Sequence, residues 1–140
     1  MNPLKQLGTS LMNWSLNGLQ KSLSEIEYDN KAREIREILK QSITIIEQER
    51  NWLIDWAEER SYSVTRNADG AAFSQEAINA ISIDREAYEH FNNLRLGMGL
   101  RDGIKNQPPA YPIDEVYMTA YKAGNDRYNT AIALKRNCGG

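Results

Sequence analysis

Apolar residues recur at helical spacing through residues 24–61, a stretch without glycine or proline. With a step of 100° per residue, the following lie within about 60° of one line: Tyr28, Ala32, Ile35, Leu39, Ile46, Leu53 and Ala57. Flanking apolar residues widen this arc to roughly 200°, beyond the seam of a two-stranded coiled coil. The pattern predicts one long helix that touches more than one neighbour. Ser22 and Glu25 have the spacing of a capping box at its start, and Ser24 is the alternative cap.

A shorter amphipathic helix is predicted over residues 3–20, where leucines and Trp14 recur every three or four positions. Gly8 and Gly18 weaken it by about 1 kcal/mol each relative to alanine. We therefore expect it to hold its shape by packing against the long helix.

Residues 62–73 lose helical periodicity, and residues 67–70 have the composition of a turn. No second strand pattern accompanies the short extended piece at 62–65, so no sheet is predicted. A helical region over 75–96 then begins at Ser74, a good N-cap residue.

This helical region is either one helix or two. Its apolar stripe drifts around the helix axis, and Ser82 and Asp84 are both residues that cap a new helix well. One continuous helix and two shorter ones remain alternatives.

Three glycines and three prolines end the helical pattern in residues 94–112, which are predicted to form the main loop. Pro112 can then begin a last helix over 113–136, whose apolar residues lie within an arc of about 100°. The prediction is an all-α single domain over residues 1–140. It is a helical bundle of four to five helices, built on one long central helix, with a Gly/Pro-rich loop before the C-terminal helix.

The long helix would extend about 55 Å, whereas a compact chain of this length has a radius of gyration of about 14 Å. It is kinked, part of an elongated monomer, or covered by another subunit, and we favour the last. Trp14, Trp52 and Trp56 are the predicted anchors for a partner, because large aromatic surfaces dominate interface energies. Glu49 and Arg50 fall within the apolar arc, where they either set the specificity of an interface or lie at the edge of the core.

Charge and composition narrow the class of protein. The net charge is −2, although residues 24–61 carry six basic against ten acidic side chains and residues 95–140 carry seven against four. This balance makes nucleic acid an unlikely partner. A single cysteine excludes an internal disulfide, and no long apolar stretch marks a leader or a membrane segment. We expect a cytoplasmic protein that does not enter a membrane.

No motif indicates an enzyme. The single histidine, His90, falls on the polar side of its predicted helix, and one histidine with one cysteine cannot form a structural zinc site. The pairs Glu34 with Glu37 and Asp55 with Glu58 resemble the acidic helices of all-α nucleotide pyrophosphohydrolases, which would imply Mg²⁺ and a phosphate substrate. However, both pairs lie on one helix, about 27 Å apart, and cannot share a metal. We therefore predict no catalytic residue, metal or cofactor.

A small-ligand site is the alternative to a partner surface. Glycines let a backbone approach a phosphate closely, cations supply charge, and tyrosines can stack on a base. The residues of this site are Arg95, Gly97, Gly99, Arg101, Lys105, Tyr117, Tyr121, Arg127 and Tyr128. No Walker A or Rossmann motif accompanies them. The tyrosine stripe is equally compatible with a core face in which Gly124 marks a close helix crossing.

Two functions follow from these patterns. The first is a non-catalytic helical interaction protein that self-associates and binds a partner macromolecule as an adaptor, assembly subunit or inhibitor. The second is a small-ligand or nucleotide-binding protein that uses the glycine-rich loop and the tyrosine face.

Overall fold

The computed structural model describes residues 16–67 and 70–139 of the chain, and it confirms an all-α helical bundle. The helices are α1 (Leu16–Glu59), α2 (Gln75–Ile83), α3 (Arg85–Ile104) and α4 (Glu115–Gly139). A short hairpin of β1 (Val64–Asn67) and β2 (Gly70–Phe73) separates α1 from α2. The predicted helix over 3–20 lies mostly outside the described residues, and residues 16–20 belong to α1.

Helix α1 is longer than predicted. It already runs through Ser22, so a capping box at that position is wrong. The helix ends where Ser61 adopts a left-handed φ of 61° and the Tyr62 amide donates to the Ala57 carbonyl at 2.9 Å. This turn satisfies a carbonyl that the helix end leaves without a partner.

The hairpin corrects the prediction that the chain has no sheet. Its strands are antiparallel, with Val64 opposite Phe73 and Asn67 opposite Gly70. Val64 and Phe73 both pack against the hydrophobic core. The second strand, GAAF, has no alternation of polar and apolar residues, so local sequence carries little sign of it.

Asp84 divides the predicted helical region into two helices. It ends α2, and its side chain accepts a hydrogen bond from the Ala87 amide at 3.0 Å as the N-cap of α3. Ser74 caps α2 in the same way through the Ala77 amide, as predicted. Helix α3 then continues to Ile104, so the predicted main loop over 94–112 is wrong up to that residue.

The helices pack with α3 antiparallel to α1 and α4 parallel to α3. Gly97 lies beside Ser42 and Ile46 of α1, while Gly99 and Gly103 of α3 lie beside successive turns of α4. The loop over 105–114 therefore runs back along α3 before α4 begins. The main cluster of buried residues consists of Ile46, Leu53, Trp56, Ala57, Ile81, Ala87 and Leu94.

Candidate functional site

The glycines of the predicted phosphate loop lie inside a helix contact. A Cβ atom on Gly99 or Gly103 would lie 2.1 Å from a backbone carbonyl oxygen, that of Tyr117 or Tyr121 respectively. A Cβ on Gly124 would lie 2.7 Å from the Leu100 carbonyl oxygen. Gly124 therefore lies at a close helix crossing, as predicted. The backbones of α3 and α4 touch here, and no room remains for a phosphate.

Most cations of the alternative ligand site are engaged by carboxylates of the same chain. The ion pairs are Arg95 with Asp114, Arg101 with Asp102 at 2.9 Å, and Arg127 with Glu34 at 3.4 Å. Lys105 is exposed at the end of α3. Since paired charges offset each other, three of these four side chains offer little attraction to an anion.

Two of the predicted stacking tyrosines hold the loop over 105–114 in place. Tyr117 is fully buried, donates to Asp102 Oδ2 at 2.6 Å, and accepts a hydrogen bond from the Ala110 amide at 3.0 Å. Burial, followed by the bond to Asp102, raises the pKa of Tyr117 to about 12. Tyr121 donates to the Gln107 carbonyl at 2.7 Å. Both hydroxyls thus support the loop, and the buried Tyr117 ring presents no open face for a base.

Tyr128, the third tyrosine, is half-buried further along α4. The structure thus does not bring the residues of the alternative site together into one cavity. Among them, Arg95 lines a groove on the described part of the chain.

This groove lies between α3, the loop and the start of α4, and has a volume of about 660 Å³. Its lining residues are Tyr88, Arg95, Ala110, Tyr111, Pro112, Ile113, Asp114, Glu115 and Val116. Tyr111 is 50% exposed and Ile113 is 94% exposed. The groove is open to solvent and mainly apolar, and sequence reasoning found only Arg95 among its residues.

The polar part of the groove is an ion pair. The Arg95 guanidinium donates to both Asp114 and Asn92, and it lies 4.8 Å from the centre of the Phe91 ring. Burial alone would raise the pKa of Asp114. The hydrogen bond from the Tyr117 amide and the nearby Arg95 outweigh burial and lower that pKa below its ordinary value. Asp114 also caps α4, which begins at Glu115, so the prediction that Pro112 takes the first helical position is wrong.

We expect Asp114→Ala to cost more stability than the matched substitution Asp84→Ala. Both aspartates cap a helix by accepting an amide hydrogen bond at 3.0 Å, a contact worth about 1 kcal/mol. Only Asp114 also neutralises a largely buried arginine, which adds about 1–2 kcal/mol. Because its folded pKa is lowered, this stability is present above about pH 4 and is lost as the pH falls through the folded pKa. Urea unfolding at pH 7 and pH 3 measures both effects, and equal costs at pH 7 would contradict a role for the ion pair.

A second polar cluster joins α1 to α3 and was missed in the sequence. His90 Nδ1 contacts Glu49 Oε2, and the His90 ring stacks on Trp52 with centres 3.8 Å apart and planes 17° apart. Asn93 Nδ2 donates to the other Glu49 oxygen at 3.4 Å. Glu49, for which an interface role and a position at the edge of the core were alternatives, thus has partners in its own chain. Arg50 is half-buried beside it in sequence.

Trp56 is a core residue of this chain. It is 7% exposed, its ring lies 4.3 Å below the Arg60 guanidinium, and Tyr62 stacks on it with centres 6.2 Å apart. Little of its indole is left for a partner. Trp14, the third predicted anchor, lies outside the described residues.

The first half of α1 differs from the second in how it is covered. Between residues 25 and 41 no side chain is buried, whereas the buried side chains of α1 begin at Ser42 and continue to Ala57. Leu23 and Ile26 are 42% and 41% exposed. We call residues 23–41 the outlying segment of α1.

Neither a metal site nor a membrane span is present in the described residues. No group of three or more His, Cys, Asp or Glu side chains there could hold an ion, and none of the described helices is long and apolar enough to cross a bilayer. Comparison of the chain with protein-family models, curated proteins and solved structures gives no match in any of the three.

Proposed function

We propose that this chain is a non-catalytic helical interaction protein, which self-associates along the outlying segment of α1 and acts by binding a protein partner. The observation that carries the proposal is the difference in burial between the two halves of α1. The helix has 44 residues, which correspond to about 66 Å, yet all of its buried side chains among the described residues lie from residue 42 onwards.

The outlying segment has apolar side chains on two sides. Ile35 and Leu39 are in phase with the buried residues of the second half but are only half-buried themselves. Ile26 lies nine residues, about 2.5 turns, before Ile35, and therefore on the opposite side of the helix. A second copy that covers Leu23 and Ile26 would remove this apolar surface from water.

The charges of the same region permit two copies to approach each other. Residues 23–41 carry four basic and five acidic side chains, so charges of both signs are present and the net charge is only −1. An isologous interface places the same segment on both sides of a two-fold axis, where mixed charges can pair and a charge of one sign would repel.

The ligand-binding alternative has less support. Of the glycines that would approach a phosphate, Gly99 and Gly103 are packed against α4 and Gly97 against α1. The cations other than Lys105 have carboxylate partners.

The double substitution Leu23→Glu and Ile26→Glu is expected to make the protein monomeric. Glutamate keeps helix propensity but introduces charge on the face that the second copy would cover. Size-exclusion chromatography with light scattering, at tens of micromolar protein, would show wild type near twice the 16.0 kDa chain mass and the variant near the chain mass.

The matched control is Ile83→Glu, because Ile83 is an exposed isoleucine at 89% exposure, outside the outlying segment. It should keep the wild-type mass. If wild type is already monomeric at this concentration, or if the double variant keeps the wild-type mass, the outlying segment is not the interface.

A further inference from the structure

We propose that the groove between α3 and the start of α4 is the docking site for a short segment of a protein partner that combines apolar side chains with a Lys or Arg. The inference rests on the proposed function and names the chemistry of the partner. Three features of the groove carry it: a rigid wall, exposed apolar side chains on that wall, and one remaining negative charge.

The wall is rigid because the loop is tied to the helices at several points. The Ala110 amide donates to the buried Tyr117 hydroxyl, the Gln107 carbonyl accepts from Tyr121, and the Asp114 amide donates to the Tyr111 carbonyl at 3.1 Å. A preformed wall loses little conformational entropy when a partner binds, which favours affinity.

Apolar side chains of the loop and of the facing helix are exposed to solvent in this groove. Ile113 is 94% exposed, Tyr111 is 50% exposed and Tyr88, on the facing helix, is 42% exposed. Such exposure does nothing for the stability of the fold itself, and clustered apolar exposure is typical of surfaces that bind proteins. Tyrosines in particular supply large, rigid contact areas.

The charges of the groove select a basic partner. Arg95 and Asp114 neutralise each other, and both Asp114 oxygens already accept hydrogen bonds, from Arg95 and from the Tyr117 amide. Glu115 is the remaining charged lining residue, is exposed, and has no ion-pair partner among the described residues. A lysine or arginine of a partner would therefore gain an ion-pair partner in Glu115.

The experiment selects a phage-displayed library of random peptides on the full chain. Phages that also bind the double variant Tyr111→Ala and Ile113→Asp are first removed. We expect the enriched peptides to share apolar residues with at least one Lys or Arg. A synthetic peptide from this set should bind wild type and Ile83→Asp equally in fluorescence anisotropy. Its affinity should fall about ten-fold or more with Ile113→Asp and with Glu115→Lys.

Several results would overturn the proposal: no enrichment over the double variant, enrichment of acidic peptides, or equal binding to the Ile113→Asp chain. If Ile113→Asp instead turns a dimer into a monomer, the groove is an interface between copies and not a partner site. Self-association is measured separately on the same samples through Leu23→Glu with Ile26→Glu. Failure of the groove proposal therefore leaves the proposed self-association intact, and the reverse also holds.

Discussion

Gly103→Ala is expected to destabilise the protein by about 2 kcal/mol or more, a fall in melting temperature of about 6 °C. In the interior of an open helix this substitution would gain up to about 1 kcal/mol from helix propensity. Here the new Cβ would lie 2.1 Å from the Tyr121 carbonyl oxygen, so α3 and α4 must separate along their whole contact. Because the clashing atom belongs to a helix backbone, no rotamer change relieves it.

Gly97→Ala is the matched control on the same helix. Its Cβ would meet the γ-carbons of Ile46 and Ile45 at 3.1 and 3.2 Å and the Ser42 carbonyl oxygen at 3.4 Å. These contacts are tight but far longer than the 2.1 Å at Gly103, so a shift of a few tenths of an ångström relieves them. The gain in propensity then offsets most of the cost, and we expect the stability to change by less than about 1 kcal/mol. Thermal unfolding followed by circular dichroism compares the two variants. Equal melting temperatures would show that α3 and α4 are not in backbone contact at Gly103.

Tyr117→Phe is expected to cost about 2–3 kcal/mol. The hydroxyl donates to Asp102, which is only 4% exposed, and accepts from the Ala110 amide, so its removal deprives a buried carboxylate and a loop amide of partners. Tyr121→Phe is the matched control, because its hydroxyl serves only the Gln107 carbonyl near the surface and should be worth about 1 kcal/mol or less. Urea denaturation at pH 7 measures both costs. Equal costs for the two variants would mean that the hydrogen bonds of Tyr117 with Asp102 and Ala110 contribute no more stability than the single bond of Tyr121.

Tyr117 also makes the stability of the folded protein fall at alkaline pH. The folded pKa of Tyr117 is raised from 10 to about 12, so the folded state holds this proton more tightly than the unfolded state does. The resulting stability is complete below pH 10 and is lost as the pH rises towards 12. In Tyr117→Phe this loss should be absent, and the stability of the variant should vary less with pH over this range than that of wild type.

The parts of the fold that were predictable are those that local sequence determines. The long apolar arc of α1, the N-cap Ser74 and a possible new start at Asp84 are all readable from neighbouring residues. Gly124 was also predicted at a close helix crossing, because it interrupts a stripe of tyrosines.

The predicted end of α3 was wrong because the glycines in this part of the chain have a low propensity for helix. Their role depends on contact with α4, which follows later in the chain. Gly99 and Gly103 are needed where α4 approaches, and contact between the two backbones outweighs their propensity. His90 was misplaced for a related reason. Once α3 begins after Asp84, His90 lies three residues after buried Ala87 and four before buried Leu94, on the inner face.

The candidate site was largely beyond local sequence reasoning. Arg95 was noticed as a cation, but its partner Asp114 is 19 residues away, and Arg127 pairs with Glu34 across 93 residues. The exposure of Ile113 likewise depends on the path of the loop, which the hydrogen bonds of Tyr117 fix. Patterns along the chain identify candidate residues but not which charges neutralise each other.

Sedimentation equilibrium of the full chain between about 1 and 100 μM tests self-association most directly. If a second copy covers the outlying segment of α1, the weight-average mass should rise with concentration towards about 32 kDa, twice the mass of the 16.0 kDa chain. A mass that stays at 16.0 kDa throughout would show that Leu23 and Ile26 are not covered by another copy, and the proposed assembly would have to be abandoned.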